Sequence, residues 1–286
     1  LAITMRSDFV GDCARYPEFT DKINDSQFLI PQMTRDEKMK AILGPVGVVE
    51  AKMDDRLVQK ILDDVGDDAD SLPIMQHSLM RTYDYWARNS FKNDLITFAH
   101  YETIGGMQSA LSIHANDVYY QLNEKQQHLC EKIFKTITEK GGAGRGTRRP
   151  TRLGDIVTVT DSSIEEVSEI VEHFRASGRT LLMPPYNIPL HEDSMVDISH
   201  ESLMRIWGNL TEWVDDEFES AKLYLRLSEA AEMHQLGQAG LWRPPDLQLA
   251  LAWQERQKPT LSWGLRYNPG FERAMLFLEY SKTEYE

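Results

Sequence analysis

The sequence predicts a mainly α-helical protein with a small β component. Between residues 35 and 121, apolar residues recur at three- and four-residue spacings, which is the spacing of one buried helix face. Residues 180–183 and 195–198 are instead short aliphatic runs separated by a proline-rich turn region, the pattern of a β-hairpin. Residues 215–286 return to aromatic, helical patterns that prolines interrupt. These three observations predict helical modules built around one hairpin.

Composition limits the classes of partner. The chain has 286 residues, enough for about two domains of ~150 residues. It has 31 Lys and Arg against 45 Asp and Glu, a net charge of −14 that repels nucleic-acid phosphates, so nucleic acid is not favoured. Cys13 and Cys130 are too far apart in sequence for a zinc motif or a disulfide framework. The absence of a disulfide framework favours a reducing cytoplasm, and with no run of ~18 apolar residues we expect no membrane segment.

Residues 1–33 are expected to be the carboxyl-terminal remnant of an α/β nucleotide-binding domain. Residues 1–5 have the pattern of an apolar strand with no preceding turn, and a lone strand needs neighbours to satisfy its backbone hydrogen bonds. We therefore expect the chain to be part of a longer protein. Arg6 follows that strand, at the edge where open α/β sheets gather their ligands.

Residues 34–121 are expected to form a compact helical domain. An N-cap signature opens its first helix, which is predicted to end at Gly44-Pro45. Asp54 is predicted to cap the second helix. Pro73 lies in the first turn of the third helix, and the fourth is predicted over about 107–121.

Residues 122–214 are predicted to form a winged-helix domain, because three helices precede the hairpin. The predicted order is a long helix over 122–139, a glycine-rich basic loop over 141–149, helices over 152–157 and 164–177, and the hairpin. His200 follows the second strand and is expected to open a further helix. Free N–H groups and the positive end of the dipole attract anions at such a position, so His200 is either a phosphate sensor or an ordinary cap. Residues 215–286 are expected to be a helical extension or connector.

Other candidate sites are weaker. The loop over 141–149 is rich in glycine and arginine, but it lacks the Gly-Lys-Ser/Thr ending of a phosphate-binding loop and follows a helix. His191 and His200 flank a predicted strand, whereas zinc-binding histidines of the His-Glu-x-x-His type lie one helical turn apart. No nucleophile and base pair stands out. We therefore predict neither catalytic nor metal-binding residues in this chain.

Three short motifs occur in a fixed order. They are Ile3-Thr4-Met5-Arg6-Ser7-Asp8-Phe9, Ser71-Leu72-Pro73-Ile74 and Asp197-Ile198-Ser199-His200-Glu201-Ser202-Leu203, with the helical and predicted winged-helix domains between them. Over about residues 1–230 this succession resembles the carboxyl-terminal part of STAND-class P-loop NTPases, which are signal-transducing ATPases. The bacterial novel STAND group, often linked to WD40 repeats, is the most similar.

The resemblance implies roles for three residues. Arg6 would be the sensor arginine that reaches the nucleotide phosphates. Pro73 would be the proline of the Gly-x-Pro lid motif that packs on adenine, with serine in place of the usual glycine. His200 would be the histidine of the Met-His-Asp motif that touches the β-phosphate of ADP, with Ser199 and Glu201 replacing methionine and aspartate.

The resemblance also implies a regulatory role. Neither a Walker A loop nor an acidic Walker B strand occurs in the chain, so ADP or ATP with Mg²⁺ would be held mainly by an upstream nucleotide-binding domain. We expect this chain to retain no nucleotide tightly and not to be catalytic alone. It would form part of an ADP/ATP switch that controls oligomerisation and effector activation, with sensor or effector domains of the same protein as partners.

Two alternatives remain open at this stage. A winged-helix regulator that binds nucleic acid is supported by Arg145, Arg148, Arg149 and Arg152 but opposed by the net charge of −14. A helical protein-interaction scaffold is supported by the aromatic tail and would need no nucleotide.

Overall fold

A computed structural model describes residues 3, 5, 7–66, 71–91, 94–140 and 146–286. These residues form fourteen α-helices, one 3-10 helix and seven short strands, which confirms the prediction of a mainly α protein with minor β structure. Arg6, Asp70 and residues 141–145 of the glycine-rich loop lie outside the described residues, as do three of the five residues of the predicted first strand.

The described N-terminal residues are helical or extended. A 3-10 helix covers Ser7–Arg15 and α1 covers Pro17–Ser26. The apolar run from Phe28 to Ile30 is exposed and belongs to no strand.

Five helices and two strands follow. They are α2 Arg35–Val48, β1 Lys52–Met53, α3 Asp55–Val65, α4 Ser71–Asn89, β2 Leu95–Ile96, α5 Phe98–Thr103 and α6 Gly106–Tyr119, with β1 parallel to β2. The predicted caps are confirmed, since Thr34 and Glu37 form a capping box and Asp54 accepts from the N–H of Arg56.

The predicted end of α2 at Gly44-Pro45 is wrong. The helix continues through both residues to Val48. Pro45 cannot donate a backbone hydrogen bond, but Ile42 and Val46, on either side of it, are both buried in the core. Their burial offsets the local cost of the proline.

The next elements form two small antiparallel sheets packed on helices. They are α7 Glu124–Thr136, β3 Thr138–Lys140, β4 Gly146–Arg148, β5 Thr151–Arg152, α8 Leu153–Thr160, α9 Ile164–Arg175, β6 Leu182–Met183 and β7 Met195–Ile198. β3 pairs with β4, and the second sheet has the order β5-β7-β6. The predicted hairpin is therefore present as β6 and β7.

The helix predicted over 122–139 is shorter than expected. It ends at Thr136, and the chain enters β3 two residues later. Ile137 and Thr138 are both buried, and the Thr138 hydroxyl donates to the carbonyl of Phe134 at 2.7 Å. Pairing with β4, which helical periodicity does not reveal, decides this boundary.

The prediction that His200 opens a helix is also wrong. After β7 the chain forms a turn, then the four-residue α10 Leu203–Ile206, and the long α11 Gly208–Gln235 begins only after Trp207. Trp207 is extended, with φ −83° and ψ 106°, and its side chain is fully buried. The break between α10 and α11 lets this indole enter the core, so His200 has no long helix N-terminus beside it.

The remaining helices are α12 Asp246–Gln257, α13 Leu261–Leu265 and α14 Phe271–Tyr285, and α11 continues across residue 215 without interruption.

Three hydrophobic cores organise the described chain. We name them the N-terminal core (Ile42 to Ala110), the central core (Leu111 to Val214) and the C-terminal core (Tyr224 to Leu278). Helix α6 contributes to the first two cores, and α11 contributes to the last two. In the part of the chain that is described, no helix has the length and apolar character needed to cross a membrane.

Candidate functional site

His200 lies where the segment after β7 meets helix α4. Its side chain is half-buried, and its ring is edge-on to that of His77 on α4, with ring centroids 6.3 Å apart and planes at 71°. The ring makes no hydrogen bond to another described residue. A half-buried imidazole with its nitrogens unpartnered in this way can bind a ligand.

His77 is itself one of a pair of buried histidines. His77 on α4 and His114 on α6 are each 3% exposed, and their rings stack with centroids 5.1 Å apart. Nδ1 of His114 and Nε2 of His77 are 3.2 Å apart. One of these nitrogens must donate and the other accept, so at least the accepting ring is neutral in this arrangement, and protonation of both rings would leave the bond without an acceptor.

Burial keeps all three imidazoles neutral at pH 7. It lowers the pKa of His77 to about 4, and the guanidinium of Arg81 and the His200 ring, when that ring is protonated, act in the same direction. It lowers the pKa of His114 to about 3, helped mainly by Arg81. The pKa of His200 is lowered first by burial and then by the guanidinium of Arg148.

Arg148 is the cationic side chain that acts on His200. It lies on β4, is partly exposed, and donates to the Asp197 carboxylate at 3.1 Å and more weakly to the carbonyl of Ile198 at 3.4 Å. Burial raises the pKa of Asp197, and Arg148 opposes that rise. A neutral imidazole donor beside an arginine held in place by a carboxylate is an arrangement suited to an anion.

Pro73 lines an apolar cavity of about 630 Å³, a volume within the range of about 300–1,000 Å³ that is typical of small-ligand sites. Its walls come from α2, α4 and the β1–β2 region, and on α4 the lining residues nearest Pro73 in sequence are Leu72, Met75 and Gln76. The walls are mostly aliphatic and aromatic, which suits a flat apolar group better than a charged one.

The structure relates Pro73 to His200 through His77. His77 lies four residues after Pro73 on α4, so the two side chains share one helix face. His77 in turn contacts His200. The third predicted residue, Arg6, lies outside the described residues.

Sequence reasoning missed His77 and His114 as members of this site and treated Arg148 only as part of a basic loop. The one available signal is that each histidine falls among the apolar positions of an amphipathic helix. A buried polar residue needs a partner, but the sequence does not show which one. Within the described ranges, no group of three His, Cys, Asp or Glu is arranged to hold a metal ion.

Comparison with known proteins gives one result. No curated protein sequence and no solved structure matches the chain. The family described as Novel STAND NTPase 1 matches residues 1–239, which is most of the chain. The chain therefore belongs to the novel STAND NTPase 1 family.

Proposed function

We propose that this chain is the regulatory region of a STAND-type ATPase and forms part of an ADP/ATP-dependent switch. In this proposal Arg6 reaches the nucleotide phosphates, Pro73 packs on the adenine and His200 contacts the β-phosphate of ADP. Mg²⁺ and most of the phosphate contacts belong to an upstream nucleotide-binding domain. Family membership supports the general role.

The observation that carries the proposal is the placement of His200. Its ring lies against α4, the helix that begins near Pro73, and has no hydrogen-bond partner among the described residues. Arg148 adds positive charge beside it. An anion held there would contact both α4 and the segment after β7, and its loss would weaken the contact between them.

The domain assignment belongs to the same proposal. We assign residues 1–33 to the end of the nucleotide-binding domain, 34–121 to a helical lid, 122–214 to a winged helix and 215–286 to a connector. The N-terminal and central cores form two clusters that meet along α6, which supports a lid and a winged helix with α6 at their junction. Hinge motions between such domains are typical of nucleotide-controlled switches.

Two contacts argue against the nucleic-acid alternative. Arg148 pairs with Asp197 and Arg152 pairs with Asp193, so part of the basic charge near the loop is already neutralised. An acidic chain with these pairs has little positive surface left for a phosphate backbone.

The test uses the longer protein with its upstream domain. We expect wild type to retain ADP and to be monomeric, and His200→Ala to lose ADP and to oligomerise. Nucleotide is measured by chromatography after denaturation and mass by light scattering. His128→Ala removes an exposed histidine on α7 and serves as the matched control. If His200→Ala keeps its ADP and stays monomeric like wild type, the proposed contact is wrong. If wild type binds no adenine nucleotide at all, the scaffold alternative is favoured.

A further inference from the structure

Three histidines from three different elements meet at one place in the molecule. We name His77, His114 and His200 the histidine cluster. His77 lies on α4, His114 on α6 and His200 on the segment between β7 and α10. The cluster therefore joins elements of the N-terminal core to elements of the central core. Buried histidines are unusual where only packing is required, because a smaller apolar residue would need no hydrogen-bond partner.

Cationic side chains face the cluster from several elements. Arg81 on α4 and Arg179 after α9 both lower the pKa of His114, and Arg148 on β4 lowers that of His200. The carboxylates opposite them are engaged. Asp117 on α6 pairs with Arg81 at 3.5 Å, and Asp197 on β7 pairs with Arg148.

The remaining titratable neighbours are also occupied. His173 on α9 contacts the carbonyl of Val118 through Nε2, and Arg179 lies 2.8 Å from its Nδ1. Glu201 and Arg205, which follow His200 in sequence, each have interactions of their own. A proton added to the cluster would therefore meet positive charge without gaining a new carboxylate partner.

We propose that the histidine cluster is a proton-sensitive latch that holds α4 against both α6 and the segment after β7 while its rings are neutral. Protonation of both His77 and His114 removes the acceptor from their 3.2 Å hydrogen bond and places two positive rings in a stack. This inference goes beyond the nucleotide switch, because it needs no bound nucleotide and applies to the chain alone.

The direction of the pH effect follows from the lowered pKa values. Neutral histidine is favoured in the closed arrangement, so the contact is fully stable above the ordinary histidine pKa of about 6.5. It weakens as the pH falls below that value and continues to weaken down to the lowered values of about 4 and about 3. Between pH 7.5 and 5.0, linkage through His77 alone raises the open-to-closed ratio about 30-fold.

Hydrogen–deuterium exchange of the nucleotide-free chain tests the proposal. Peptides that cover α6 and residues 199–207 are compared at pH 7.5 and 5.0 after correction for intrinsic exchange. We expect protection in both segments to fall at least tenfold at pH 5.0. In the double variant His77→Gln and His114→Asn, side-chain amides replace the two bonded nitrogens and cannot titrate in this range, so protection is expected to persist. His128→Gln, an exposed control, is expected to open as wild type does.

Two results would overturn the proposal. One is equal corrected protection of wild type at the two pH values, and the other is opening of the double variant at the same pH as wild type. If the double variant fails to fold, ¹⁵N NMR titration of the wild-type histidine rings decides instead. We expect two rings to remain neutral below pH 5.5, and titration of all rings near pH 6.5 contradicts the latch. Because no nucleotide is present, failure here is distinct from failure of the proposed switch.

Discussion

Replacement of Arg175 by methionine tests how the β6–β7 turn is held. Arg175 ends α9, and its side chain is 1% exposed. Its guanidinium donates to the Glu172 carboxylate at 2.9 and 2.7 Å and to the carbonyls of Pro184, Pro185 and Ile188 at 2.9, 2.7 and 2.7 Å. One side chain therefore fixes three backbone carbonyls of the turn.

The size of the effect follows from those bonds. Methionine keeps most of the apolar stem but leaves the three carbonyls without their donor. Hydrogen bonds to a charged group contribute about 1.5–3 kcal/mol each. The turn is largely exposed, so water can donate to the freed carbonyls and recover part of that free energy. We therefore expect Arg175→Met to lower the free energy of unfolding by about 3 kcal/mol.

Urea denaturation followed by tryptophan fluorescence measures the change, and hydrogen exchange over 184–190 locates it. Arg152→Met is the matched control. Arg152 lies on β5, in the sheet that also contains β6 and β7, and its mostly exposed side chain makes one 3.4 Å ion pair with Asp193. Its expected cost is below about 1 kcal/mol. If Arg175→Met costs no more than this control, the guanidinium does not hold the turn and the reasoning fails.

Three further predictions concern buried positions. Trp207→Phe removes the indole N–H that donates to Asn116 at 2.8 Å and leaves a gap in the central core. We therefore expect the free energy of unfolding, measured by urea denaturation, to fall by about 2–3 kcal/mol, and a fall below about 1 kcal/mol would contradict the prediction. Gly264→Ala places a methyl group against the ring of Phe271. We therefore expect the free energy of unfolding to fall by about 1–3 kcal/mol, with weaker hydrogen-exchange protection confined to the C-terminal core. An unchanged melting temperature would count against this prediction. Cys130 is fully buried and burial raises its thiol pKa, so it should not react with Ellman's reagent in the native chain at pH 8 but should react in urea.

The parts of the fold that the sequence predicts well are those that local chemistry decides. The helix that Asp54 caps and the capping box at Thr34 need only side chains within three residues, and both are present. The predictions failed where a distant partner decides the conformation. α2 passes through Pro45 because its neighbours are buried, and the predicted end of the α7 helix at 139 is wrong because β3 pairs with β4.

The candidate site shows the same division. His200 could be selected because it follows a strand within a recognisable motif. His77 and His114 are 37 residues apart in sequence and meet only because α4 packs on α6. No local pattern specifies that pairing. The helix expected to begin at His200 is also short for a tertiary reason, since α10 begins at Leu203 and the burial of Trp207 separates it from α11.

Helix α6 determines how the N-terminal core and the central core could separate. It packs on α4 and also on α10, so opening must break one contact or the other. His200 leaves His77 in both cases, but the His77–His114 hydrogen bond survives only if the opening is between α6 and α10. Protonation acts on that bond directly, so acid should open the α4–α6 side. In the proposed switch, loss of the anion weakens the contact between α4 and the segment after β7 and leaves the His77–His114 bond intact, so nucleotide release should open the α6–α10 side. The ¹⁵N signal of His114 therefore distinguishes the two motions, because it changes with acid and not with nucleotide release.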